Sequence, residues 1–116
     1  MSRPGTWNVR SRTNDTWRTV ITWQPGGVTA DLTGCTAKLQ VRATPSGTAL
    51  LTAATGGGGI TLGGTAGTIT IAIPRTTLDD LAPGVYVWDL VVTDSTGADH
   101  CILAGTWTHE QGVTVP

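Results

Sequence analysis

Phenylalanine is absent from this 116-residue chain, and tyrosine and methionine occur once each. Such a chain must fill its core with aliphatic side chains and with its five tryptophans. Cysteine is nearly absent too. Two cysteines make no disulfide framework, so both thiols are expected free, in a chain made and assembled in a reducing cytoplasm. Charged residues are only 13% and leave a net charge of −1, which excludes bulk attraction to nucleic acid. No apolar run approaches the roughly 20 residues of a membrane span, and none follows a basic start. Neither a membrane partner nor a secretory signal is expected.

Constellations that carry chemistry are equally scarce. His100 and Cys101 are neighbours on a predicted strand and point to opposite faces, and Cys35 is distant; this is not the ligand spacing of tetrahedral zinc. The Asp94–Asp99 stretch has too few ligands for a calcium loop. The Gly56–Gly59 run lacks the Gly-Lys-Ser/Thr ending of a phosphate loop. Asp79 and Asp80 read as charges in the first turn of a short helix. No catalytic, cofactor-binding or metal-binding residue is assigned, and the chain is expected not to be an enzyme.

What is abundant is glycine, threonine and valine, a composition for strands and tight turns. The organising stretch is Asp31–Arg42. It opens with a turn and then alternates strictly, with Cys35, Ala37, Leu39 and Val41 on a dry side and Thr36, Lys38, Gln40 and Arg42 on a wet side. Further strands are predicted over 6–10, 16–23, 48–52, 60–62, 68–73, 85–93 and 100–109. Ser11–Asp15 reads as a polar turn, and Thr76–Leu81, capped by Thr76, as the one helical turn. On 85–93, Tyr86, Trp88, Leu90 and Val92 share a face, which is expected to lie opposite the dry side of Asp31–Arg42. On 100–109, Cys101, Leu103, Gly105 and Trp107 share one. The fold class is all-β: a single antiparallel β-sandwich of immunoglobulin-like form, without the Cys…Trp…Cys spacing of a true immunoglobulin domain. Residues 1–15 are an N-terminal arm with a first strand, 16–110 the sandwich and 111–116 a tail.

Charge is split along the chain. Residues 1–42 carry a net +4 and residues 43–116 a net −5, an asymmetry suited to head-to-tail contact between subunits. Trp17, Trp23, Trp88 and Trp107 fall on buried parities, which leaves Trp7 as the aromatic free for contact. The candidate subunit-interface residues are Arg3, Trp7, Arg10 and Arg12 of the arm, Lys38 and Arg42 of the wet side, and Gly57 and Gly58 of a loop that orders against a neighbour.

Four segments resemble one family. Asp31–Arg42 is similar to the DLTG-x-TA-x-x-QVR segment of small phage and prophage structural proteins, and Gly58–Thr70 to their GGITLGG-x-AGTIT hairpin. Gly84–Leu90 resembles their G-x-YVYDL strand, with Trp88 in place of the second aromatic, and Leu103–Thr108 resembles LEGTFT. Order and spacing agree over about residues 16–110, and His109-Glu110 stands where an apolar residue is expected. The resemblance implies a virion component of tailed bacteriophages, related to the immunoglobulin-like N-terminal domain of baseplate upper proteins. On that reading the protein is a homo-oligomer in the virion, assembled in the host cytoplasm, whose partners are copies of itself and other virion proteins. A head decoration protein is the alternative location. A host-surface glycan-binding module is the alternative of another class.

Overall fold

A computed structural model describes residues 5–115. In chain order the strands and helix are β1 (Gly5–Thr6), β2 (Val9–Arg12), β3 (Trp17–Thr22), β4 (Thr36–Arg42), β5 (Ala49–Ala54), β6 (Ile60–Leu62), β7 (Thr68–Ile73), α1 (Arg75–Leu78), β8 (Gly84–Thr93) and β9 (Asp99–Glu110), with short 3₁₀ turns at Pro25–Gly27 and Gly64–Ala66 beside the one helical turn expected. The larger sheet runs β1-β9-β8-β4-β5, with β2 also on β9, and the smaller runs β3-β7-β6. The fold is an all-β sandwich. Its core lies between the inner faces, where Leu39, Val41, Leu90 and Val92 of one sheet meet Ile69, Ile71 and Ile73 of the other. Alternation dictates this: β4, β5 and β7 bury every second residue, as their sequences prescribe.

The hairpin of β6 and β7 and the long β8–β9 pair stand where the spacing predicts them. Four expectations are corrected. The sandwich is not purely antiparallel, because β1 and β2 run parallel to β9, Gly5 opposite Leu103 and Val9 opposite Trp107. Ser11 and Arg12 therefore belong to a strand, not a turn. Second, β4 does not lie opposite β8 but beside it in the same sheet, Leu39 paired with Leu90.

The other two corrections are local. The helix starts at Arg75 behind Pro74, with no side-chain cap, so Asp79 sits at its C-terminal end rather than in its first turn. Arg75 pairs with Asp79 at 2.9 Å across one turn, which offsets that placement. On β9 the register slips by one residue: Leu90 faces Leu103, but Val91 faces Cys101, leaving Ile102 as the extra residue of a bulge. A one-residue slip exchanges the faces of everything beyond it. Cys101, expected in the core, is exposed, and His100 takes the inward parity opposite Val92.

Candidate functional site

The tryptophans account for one side of the sandwich. Trp7, Trp17, Trp107 and Trp88 form a closed ring of contacts, with centroids 5.7 Å apart for Trp7–Trp17, 4.8 Å for Trp17–Trp107, 5.7 Å for Trp107–Trp88 and 6.1 Å for Trp88–Trp7. Trp17 comes from the edge of the smaller sheet and the others from the larger, so the ring closes the seam where the chain crosses from β2 to β3. Gly105 makes this possible: a Cβ there would stand 2.2 Å from the Trp7 carbonyl oxygen. That carbonyl, turned out of the β-ladder, accepts a hydrogen bond from Trp88 Nε1 at 2.9 Å. The amide of Thr106 donates instead to Asn8 Oδ1 at 3.2 Å, so the edge is interrupted without leaving that amide unpaired.

Beneath the ring lies a buried polar chain. Trp107 Nε1 donates to Ser11 Oγ at 2.8 Å, Ser11 Oγ lies 2.7 Å from His109 Nδ1, and His109 Nε2 lies 2.9 Å from the Leu78 carbonyl oxygen. A carbonyl only accepts, so Nε2 carries a proton and donates; the Ser11 hydroxyl then donates to Nδ1. His109 is 2% exposed and fully bonded, so the position where an apolar residue was expected is interior after all. Trp7, read from the sequence as a contact residue, is instead a half-buried member of the ring. Its place depends on a parallel partner about a hundred residues away, which no local pattern announces.

The opposite seam is closed by glycine. The Gly56–Gly59 run links β5 of the larger sheet to β6 of the smaller. Ala54 N–H donates to the Gly58 carbonyl at 2.9 Å, and Ala72 N–H to the Gly59 carbonyl at 2.8 Å. Gly59 has φ +100°, and a Cβ there would stand 2.9 Å from the Ala72 oxygen. The run is therefore clamped within its own chain. Of the two candidate interface glycines, Gly58 is held against Ala54, while Gly57 is the open tip.

One end of the sandwich carries a repeat that local reading does not pair. Asp31-Leu32-Thr33-Gly34 and Asp94-Ser95-Thr96-Gly97 share a spelling and a side-chain bond, set on backbone turns one residue out of step, closed by Cys35 N–H to the Leu32 carbonyl and by Gly97 N–H to the Asp94 carbonyl. In each, the aspartate Oδ1 accepts from the threonine amide and hydroxyl two residues on, at 3.0 and 2.6 Å for Thr33 and 2.9 and 2.5 Å for Thr96. The turns touch, with an added Cβ at Gly34 3.2 Å from Ser95 Cβ. The Thr33 donors hold the Asp31 carboxyl below its ordinary value. Asp94 is held well below, first by the Thr96 hydroxyl and then by His100 Nε2 at 2.9 Å and the Ala98 amide. The repeated D-x-T-G spelling is the signal that could have found this pair.

The remaining candidate residues lie on the outer face of the larger sheet, apart from Arg3, which falls outside the described residues. Arg10 and Arg12, at its β2 edge, both pair with Glu110, at 2.9 and 3.6 Å. Arg42 donates to Gln40 Oε1 at 2.5 Å and to the Gly47 carbonyl. Lys38 is exposed and makes no ion pair among the described residues. Of the basic candidates brought to this face, Lys38 is the one left free for a partner. A shallow depression of about 250 Å³ lies further along β4, lined by Gln40, Arg42, Pro45, Val87, Asp89 and Ala104 among others. Cys101 shares the face; partial burial, and then the charge of Asp89, push its thiol up from its ordinary value.

No known family model matches this chain, and no curated protein matches its sequence. Among solved structures, it is similar to CopC from Methylosinus trichosporium OB3b, at 16% identity and a TM-score of 0.40, over 69% of this chain and 67% of that one.

Proposed function

We infer that this chain is a non-enzymatic structural component of a tailed bacteriophage virion, in the tail or baseplate, where it anchors fibre or receptor-binding parts by oligomeric assembly. On this reading its sandwich is immunoglobulin-like. The observation that carries it is where the phage-like segments fall. Asp31–Arg42 makes a D-x-T-G turn and the interior strand β4; Gly58–Thr70 makes the glycine seam and the β6–β7 hairpin; Gly84–Leu90 and Leu103–Thr108 lie in β8 and β9. The resemblance thus lies on turns, seams and inner faces, the parts that make a rigid body, and a rigid body with a bare outer face suits assembly. The glycan-binding alternative needs aromatic faces in solvent, and four of the five tryptophans are packed on one another.

Protein analysis of purified particles, followed by cryo-EM of the same particles, tests the reading. The chain is expected in the particle, with density on the tail or baseplate. Density confined to the capsid lattice moves it to head decoration, and absence from particles overturns the virion reading.

A further inference from the structure

The two outer faces of the sandwich differ in degree. The smaller sheet turns Arg18, Thr22, Thr61, Thr68, Thr70 and Ala72 outward around one exposed valine, Val20. The larger sheet also turns threonines out, Thr36, Thr52, Thr106 and Thr108, but sets among them an aliphatic row, Val85, Val87 and Val91 along β8, with Leu50 on β5; Val85 is 69% and Leu50 51% exposed. Asp89 apart, the outer side of β8 from Val85 to Val91 is an aliphatic row. Charge at the centre of this face comes down to Lys38 and Asp89, since Arg42 is bonded to Gln40 and Gly47. Lys38 pairs with Val91 and Gln40 with Asp89, so the two charges are diagonal neighbours, about 7–8 Å apart by sheet geometry. Neither makes an ion pair among the described residues.

We propose that this face pairs with the same face of a second copy, about a two-fold axis lying in its plane and bisecting the Lys38–Asp89 diagonal. That operation sets each Lys38 over the Asp89 of the other copy, so one patch supplies both halves of two ion pairs. A self-complementary patch is what a two-fold interface requires. The area is that of a weak contact. With the axis between β8 and β4, four strand positions at ~4.8 Å and about seven residues at ~3.4 Å overlap, roughly 19 × 24 Å or about 900 Å² over two copies, within the range of transient interfaces below ~1,200 Å². The depression beside Val87 gives room for a protruding aliphatic side chain from the other copy. The proposal rests on the reading that the protein works as an oligomer.

Sedimentation velocity of the full chain over a concentration series tests it, with circular dichroism to confirm folding. Both charged residues are exposed, so their substitution leaves the core untouched. Wild type is expected to form a dimer. K38E and D89K, each placing like charges opposite one another, are expected to raise the dissociation constant about tenfold or more. The double variant K38E/D89K is expected to return to within about threefold of wild type. Alkylation of Cys101 should slow as the dimer fills. A chain that stays monomeric at ~1 mM, or a double variant no better than the singles, overturns the proposal. Detection of the chain in particles is read separately. Its presence with a monomeric chain removes this interface alone, whereas its absence removes the virion reading whatever the dimer does.

Discussion

The two seams of the sandwich close the same gap by opposite means. Where β2 crosses to β3, four indole rings fill the space between the sheets. Where β5 crosses to β6, glycines let the two backbones approach until Ala54 and Ala72 bond to adjacent residues of one turn. The first solution gains by burying apolar area and needs bulk; the second gains backbone hydrogen bonds and needs its absence. A chain without phenylalanine concentrates its aromatic bulk in one place, and the other seam is left to be drawn tight. The seams therefore differ in how damage should spread: loss at the tryptophan seam is felt by the whole core, and loss at the glycine seam stays local.

The sharpest break is Trp107→Ala. Trp107 is fully buried, sits in two of the ring contacts and donates to Ser11, so truncation should cost about 3–5 kcal/mol, read as a lower urea midpoint. Leu39→Ala, at the centre of the core but in neither seam, should cost about 2–5 kcal/mol. If Trp107→Ala proves milder than Leu39→Ala, the ring is filler and the contrast between seams loses its basis. Ser11→Ala comes next. It strands Trp107 Nε1 and His109 Nδ1 inside the protein, at about 1–3 kcal/mol for each unmet group. Ser11→Thr, which keeps the hydroxyl, should recover part of that loss in the same urea titration.

The seams were unequally legible in the sequence. The four-glycine run and the flanking hairpin are local patterns, but the cost of ordering glycine leaves open a mobile loop and a clamped one, and only the fold shows that Ala54 and Ala72 of the same chain hold it. Trp17, Trp88 and Trp107 were legible by strand parity. Trp7 was not, because its position is set by parallel pairing between the two ends of the chain, and Gly105 shows no sign of its role until the Trp7 carbonyl is in place. Cys101 was misread for a different reason. Parity counts through a strand fail at a bulge, and nothing in Cys101-Ile102-Leu103 spells one. On the outer face, Arg42 looked free because its bonds to Gln40 and Gly47 close only once β4 and the following turn are folded.

Gly59→Ala probes the other seam. Its left-handed backbone and the nearby Ala72 oxygen should make the change cost about 2 kcal/mol. The informative readout is hydrogen exchange. The amides of Ala54 and Ala72 should exchange faster, while the Trp107 indole proton keeps its protection. Protection lost equally at both sites would mean that the seams open together, and the contrast would fail.

The smallest effect belongs to the end that neither seam holds, where the two D-x-T-G turns meet. Their carboxyls are solvent-exposed, so the turns should add little to global stability, but the sign of their pH dependence is fixed. In the folded chain Asp31 and Asp94 ionise below their ordinary value of 3.8. A carboxyl with a depressed folded value contributes its stability in full above the unfolded value and loses it as the pH falls through the folded one. Wild type should therefore melt above a D31N/D94N variant at pH 7. The gap should hold down to about 4 and narrow from there as the pH falls, with Asp94, the more strongly depressed of the two, keeping part of its share at pH 2. Melting curves between pH 7 and pH 2 read this directly. A gap that widens in acid would mean that the charged form is not what the threonine donors favour. A gap that narrows while the Trp107 indole stays protected would show that acid weakens the turns without opening the tryptophan seam.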